Sequence, residues 1–351
     1  MLASILSPSL LAVILATGTA SADEVGYFDS QSCVDPTGLE QCYEEISSSF
    51  ASCVNDNCKD QNIDCTNVCS CIRTADEIDC AGKHCWNRVY SCEYQQTVSD
   101  LGTYCLEPRF EEAPFFPPPD DADGLGACSC NLGKVLTSLY RTSAETETCG
   151  SNGEDIASGL TSNDEIQSFT RACTCCSQSG MLSAFSAICP NTDPSLLGRD
   201  EIYQSLVAND EDWPMCATYM DAFPCESKLG YTPPGDDDDS GTFYEPDDFP
   251  ADGTATLSNM AGVITAPIGG ATYTWTHNGI ERVITVASAE AKPTAAAGND
   301  ANNDSSENSD EKGNDGNSTT GSEDKKNSAA AMGSRLLPIS CGMLLFLALV
   351  L

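Results

Sequence analysis

Twenty of the twenty-one cysteines of this 351-residue chain fall between Cys33 and Cys225, about one residue in ten over that interval. This crowding constrains the fold more than any other feature. Cytosolic thiols are kept reduced, so a chain this rich in cysteine belongs to an oxidising compartment, and the density is that of a disulfide scaffold. The remaining cysteine, Cys341, lies in an apolar C-terminal segment expected to be removed. The even set left behind predicts ten bridges among Cys33, Cys42, Cys53, Cys58, Cys65, Cys69, Cys71, Cys80, Cys85, Cys92, Cys105, Cys128, Cys130, Cys149, Cys173, Cys175, Cys176, Cys189, Cys216 and Cys225. Spacing does not give the pairing. The C-x-C pairs Cys69/Cys71, Cys128/Cys130 and Cys173/Cys175 offer thiolates for zinc or copper, but an even count in an oxidising compartment favours bridges.

The ends of the chain read as delivery and anchoring. Residues 1–22 form a secretory signal: an apolar core at 10–16 precedes Ala20-Ser21-Ala22, although no Lys or Arg precedes that core. The last sixteen residues, Leu336–Leu351, are apolar with no charge after them. A spanning helix needs about 20 residues. Upstream stand the small residues Asn327-Ser328-Ala329 and a short polar spacer, the pattern of a glycosylphosphatidylinositol (GPI) attachment signal with Asn327 as the attachment residue and 328–351 as the removed propeptide. Ser328 and Gly333 are the alternatives. Residues 289–327 carry Ala, Ser, Asn, Gly and charge with almost no large apolar side chain, which predicts a disordered stalk with N-glycosylation sequons at Asn303 and Asn317.

Between these ends the chain predicts a mainly α fold: a disulfide-rich helical ectodomain followed by a small β-hairpin. The first cysteine-rich region, 23–106, contains a helix over about 33–58, started by Asp35-Pro36, with Leu39, Cys42, Ile46, Phe50 and Cys53 on one face. A second helix is expected from about Gly82 to Leu101, with Cys85, Val89, Cys92 and Gln96 on one stripe. Prolines and aspartates make 107–127 a connector, from which Phe115 and Phe116 pack back on the core. The second cysteine-rich region, 128–228, offers an amphipathic stripe from Leu132 to Tyr140, a capping box Ser162–Glu165 ahead of a helix to Cys189, and a short helix from Asp193-Pro194 through Val207. Residues 229–254 form an acidic linker. In 255–288, Ala271–Thr276, then Asn278-Gly279, then Ile280–Val286 spell a hairpin that pairs with Thr254–Thr265 or docks on the helical block.

Composition also excludes functions. A net charge of -37 argues against nucleic acid and anionic lipid as partners. His84 and His277 are the two histidines, and no G-x-S-x-G surrounds a serine, so a histidine-based hydrolase has no motif to stand on. The run Asp236–Asp239 lacks EF-hand spacing and reads as solvated linker. The expectation is a non-enzymatic extracellular glycoprotein without a cofactor. The GPI lipid would hold it to the outer leaflet of the plasma membrane or pass it to a cell wall. Its expected partners are cell-wall polysaccharide or surface proteins.

One stretch carries a family resemblance. Cys69-Ser70-Cys71, eight residues, Cys80, four residues and Cys85 resemble the second half of the CFEM domain, a small eight-cysteine helical module of fungal extracellular proteins that are often GPI-anchored. Cys105 corresponds to its last cysteine, and Cys42 and Cys53 to two early ones. The resemblance covers about 33–105 and rests on cysteine spacing alone. Some members bind haem through an aspartate just before the C-x-C. Here it implies Asp64 as axial iron ligand, although Asp64 lies five residues before Cys69 with Cys65 between them, and Cys58, Cys65 and Cys92 are additional to the pattern. A different helical disulfide domain sharing this spacing is the alternative. Anchor, stalk and Thr-rich hairpin together resemble fungal cell-surface proteins.

Overall fold

A computed structural model describes residues 28–289 except 59–61, 107, 123, 158, 161, 209 and 236–240. The signal segment, the run Asp236–Asp239, the sequons at Asn303 and Asn317, the attachment residue Asn327 and the C-terminal segment lie outside the described residues.

The fold is mainly helical with one two-stranded antiparallel hairpin. Helix α1, Pro36–Asn57, begins where the sequence puts it: Asp35 caps it by accepting the Gly38 backbone N–H at 3.0 Å, and Pro36 occupies the first turn. Helix α2, Ile63–His84, runs back along α1. Bridges Cys33–Cys85, Cys42–Cys80 and Cys53–Cys69 join the two, partner numbers falling as the first numbers rise, as antiparallel helices require.

The single helix expected over 82–101 does not form. Gly82 lies near the end of α2, a 3-10 turn follows at Trp86–Arg88, and helix α3 starts afresh at Cys92–Tyr104. The break has local causes. Ser91 is an N-cap whose hydroxyl accepts the Tyr94 N–H at 3.3 Å, and Cys85 is bridged to Cys33 while Cys92 is bridged to Cys128. Gly82 is needed for close approach instead, because a Cβ there would stand 2.0 Å from the Tyr273 hydroxyl.

The described residues of the 107–127 connector form 3-10 turns at Phe110–Glu112 and Asp120–Ala122. Phe116 is buried, and Phe115 packs edge-on against Tyr90 and Tyr273. Helices α4, Leu132–Ala157, and α5, Asn163–Ile188, form a second antiparallel pair stapled by Cys149–Cys173. The capping box at Ser162 and Glu165 makes both of its hydrogen bonds. From Cys175 to Phe185 every residue of α5 is buried, so α5 is the centre of its half. Cys175 and Cys176 point to different partners, Cys216 of helix α7 (Cys216–Ala222) and Cys225. The helix expected from Pro194 through Val207 is interrupted: Gly198 adopts φ 82°, ending a 3-10 turn at Pro194–Leu197 before helix α6, Arg199–Leu206.

Strands β1, Thr272–His277, and β2, Ile280–Thr285, pair with Trp275 opposite Arg282, across a turn with positive φ at Asn278 and Gly279. Of the two arrangements expected, the hairpin takes the docked one: Tyr273, Trp275 and Ile284 face the helices, and the Thr-rich face is turned to water. Residues 254–265 pair elsewhere, through bridges Cys128–Asn259 and Thr192–Ala255. One continuous core runs from Cys71 to Ile284 and takes side chains from both cysteine-rich regions, and a smaller cluster lies between α1 and α2.

Candidate functional site

The side chains that the sequence singles out gather along α2. Asn62 caps it, its Oδ1 accepting the N–H groups of Asp64 and Cys65 at 2.9 and 3.2 Å. Asp64 is therefore an exposed acid in the first turn, where the helix dipole favours a carboxylate. Val68 and Ile72 follow it at four-residue intervals on the same stripe and are 52% and 48% exposed, while neighbouring Ile63 is 67% exposed. Tyr104 and Leu106, both exposed, flank Cys105, which is bridged to Cys71 of α2.

Two sulfur clusters border this face. In the first, the Cys58–Cys65 and Cys53–Cys69 bridges lie side by side, with Cys58 Sγ 3.7 Å from Cys69 Sγ. In the second, His277 Nε2 lies 3.4 Å from Cys71 Sγ, and the Asn278 amide stands 3.7 Å from the same sulfur. Each cluster has the donor spacing of a metal site. A thiolate site, however, needs sulfurs that are not bonded to each other. All twenty cysteines from Cys33 to Cys225 are paired, and Cys130–Cys189 completes the ten bridges. Each C-x-C sends its two sulfurs to different partners: Cys69 and Cys71 to Cys53 and Cys105, Cys128 and Cys130 to Cys92 and Cys189, Cys173 and Cys175 to Cys149 and Cys216.

The two histidines are engaged far from one another in role. His84 is buried, with Nδ1 2.6 Å from Asp35 Oδ2, and so ties the end of α2 to the cap of α1. Burial lowers the pKa of His277, and the Arg282 guanidinium lowers it further, which favours the neutral ring. His84 meets a carboxylate, and His277 meets a disulfide sulfur, the Asn278 amide and the Trp275 ring. A clamp of four side chains is absent from the sequence reading. Arg282 bonds Asp76 and Asp79, and Trp275 Nε1–H donates to Asp79 Oδ1 at 2.7 Å. The alternation of Tyr273, Trp275 and His277 marks one face of β1 and was the available signal. Glu77, also buried on α2, has its pKa raised by desolvation, against which Arg73 acts at 2.7 Å.

A cleft of about 130 Å³ lies between Phe185, Cys189, Tyr244 and Pro250, below the usual size of a ligand pocket. A shallow acidic depression follows Gln41, Glu44, Glu45, Ser48 and Ser49 on the outer face of α1. No protein-family model matches the chain, and comparisons with curated proteins and with solved structures give no match. No helix among the described residues is long and apolar enough to cross a membrane.

Proposed function

We propose that this chain is a non-enzymatic, GPI-anchored glycoprotein of the outer cell surface, acting in surface structure, adhesion or host interaction. One observation carries the reading: ten bridges consume every cysteine of a helical ectodomain. Such cross-linking suits a module that must persist outside the cell, where thiols oxidise and chaperones are absent. The apolar segment Leu336–Leu351 is the attachment signal, removed as the GPI lipid is joined to Asn327, and 289–327, with sequons at Asn303 and Asn317, supplies a stalk towards cell-wall polysaccharide or surface proteins. Phosphatidylinositol-specific phospholipase C applied to intact cells should release the protein into the medium. Retention on cells that release a control GPI-anchored protein overturns the anchor.

A second reading, a CFEM-like surface receptor for haem or a metal ion, is supported for haem by the stripe Asp64, Val68 and Ile72. A carboxylate in line with two exposed aliphatic side chains is the donor set that a flat, apolar, iron-bearing ring would need. Asp64 would hold the iron, and Val68 and Ile72 would cover part of the ring. Titrating the released ectodomain with ferric haem should then give a saturable Soret shift that Asp64→Ala abolishes. Absence of a shift removes the haem reading, and a shift that survives the substitution removes Asp64 as ligand.

A further inference from the structure

The bridges at the α1–α2 turn differ from the rest in one respect. Cys58, Cys65 and Cys69 have sulfurs within 4.8 Å of one another although they belong to two different bridges. The other tight group, Cys71, Cys105 and His277, contains a single bridge. Sulfurs of separate disulfides at 3.7 Å are at van der Waals contact, so a thiolate freed in one bridge already touches the other. Access is graded across the cluster. Cys58 and Cys69 are buried, whereas Cys53 and Cys65 are partly open to solvent.

We infer that the Cys58–Cys65 and Cys53–Cys69 bridges form a thiol–disulfide exchange centre, whose substrate is an external thiol or dithiol. An incoming thiolate attacks Cys65 Sγ, forming a mixed disulfide and breaking the Cys58–Cys65 bond, whose electron pair leaves on Cys58. The Cys58 thiolate attacks Cys69 Sγ, a new Cys58–Cys69 bond forms, and Cys53 leaves as thiolate. With a monothiol, Cys53 then attacks the mixed disulfide at Cys65 and returns the reagent, so the net result is an isomerised protein and no change in redox state. With a dithiol, the second thiol of the reagent resolves the mixed disulfide. The reagent leaves oxidised by two electrons, Cys53 and Cys65 end as thiols after taking up two protons, and one bridge has been reduced.

Two further observations favour the relay. Cys65 lies in the first turn of α2, where the helix N-terminus stabilises its thiolate in the reduced product. Chain connectivity does not oppose the new pairing: the existing bridges span 7 and 16 residues, the Cys58–Cys69 pair spans 11, and closure cost grows only as the logarithm of loop length.

The purified protein is treated with limiting dithiothreitol under native conditions, quenched by alkylation and mapped by non-reducing peptide mass spectrometry. The first two-electron product should contain a Cys58–Cys69 link, alkylated Cys53 and Cys65, and the other eight bridges intact. Alkylation of Cys58 and Cys65 with Cys53–Cys69 retained overturns the relay, as does earlier reduction of any other bridge. A Cys53→Ser variant gives a second reading. Its unpaired thiol should be found by alkylation at both Cys65 and Cys69, and alkylation at Cys69 alone contradicts exchange. Should that variant fail to fold, the limiting-reduction result on the unsubstituted protein decides.

Discussion

Asp79 receives two donors on one carboxylate, Trp275 Nε1–H on Oδ1 and Arg282 Nε–H on Oδ2, each at 2.7 Å. Burial raises its pKa, and the two donors pull it back. For His277, on the same face of the hairpin, the same burial moves the pKa the other way: burial, then Arg282, lowers it below the ordinary imidazole value. An unfolded chain therefore takes up a proton on His277 before the folded chain does. Stability from this group is complete above the unfolded pKa and is lost as pH falls towards the folded one. The thermal midpoint of the unsubstituted protein should fall relative to that of His277→Asn between about pH 7.5 and about pH 5.5, across the range where imidazole titrates. Parallel midpoints would contradict the shift. At this scale sequence reading recovered Asp35 as a cap. It missed the meeting of His277 with Cys71, because 206 residues separate them and only the docking of the hairpin joins them.

Elements announced by their own ends were legible. Asp35-Pro36, the box at Ser162–Glu165 and Asn278-Gly279 each fix local backbone geometry within four residues, and the structure places α1, α5 and the hairpin there. Helix α2 was not legible because its buried side is made of Cys69, Cys71, Thr74, Ala75, Ile78, Cys80 and Ala81, with one large aliphatic among them. Its apolar rhythm is written in sulfur and small residues, so the strongest period nearby belonged to a false helix running on past His84. The docking of the hairpin on α2 depends on Arg282. Replacing it by alanine leaves Asp76 and Asp79 without their cation, a loss on the order of 1.5–3 kcal/mol for hydrogen bonds to charged groups. Hydrogen exchange should then quicken across Thr272–Thr285, and Trp275 fluorescence should shift to the red, while α4 and α5 keep their protection. Unchanged exchange in the strands would show that Tyr273, Trp275 and Ile284 hold the hairpin without the ion pairs.

For the molecule as a whole, cysteine parity and spacing predicted the fold class, and the ten pairs bear out a disulfide-rich helical domain. Connectivity was beyond the sequence because it depends on which helices lie antiparallel and on which side of each the sulfur points. Cys92–Cys128 matters most here, since it bridges the two cysteine-rich regions next to a core they share. A native bridge of this kind is worth about 2–5 kcal/mol, so the two regions should unfold together rather than in separate steps. The most direct test is a complete non-reducing disulfide map of the purified protein. The account predicts no free thiol from Cys33 to Cys225, a Cys92–Cys128 link, and the Cys33–Cys85, Cys42–Cys80 and Cys71–Cys105 links that place α2 between its neighbours. Eleven cysteines lie in 33–105 and nine in 128–225, so full pairing needs a link between the two sets. A map in which that link is not Cys92–Cys128, or in which one thiol of each set stays free, would contradict the account.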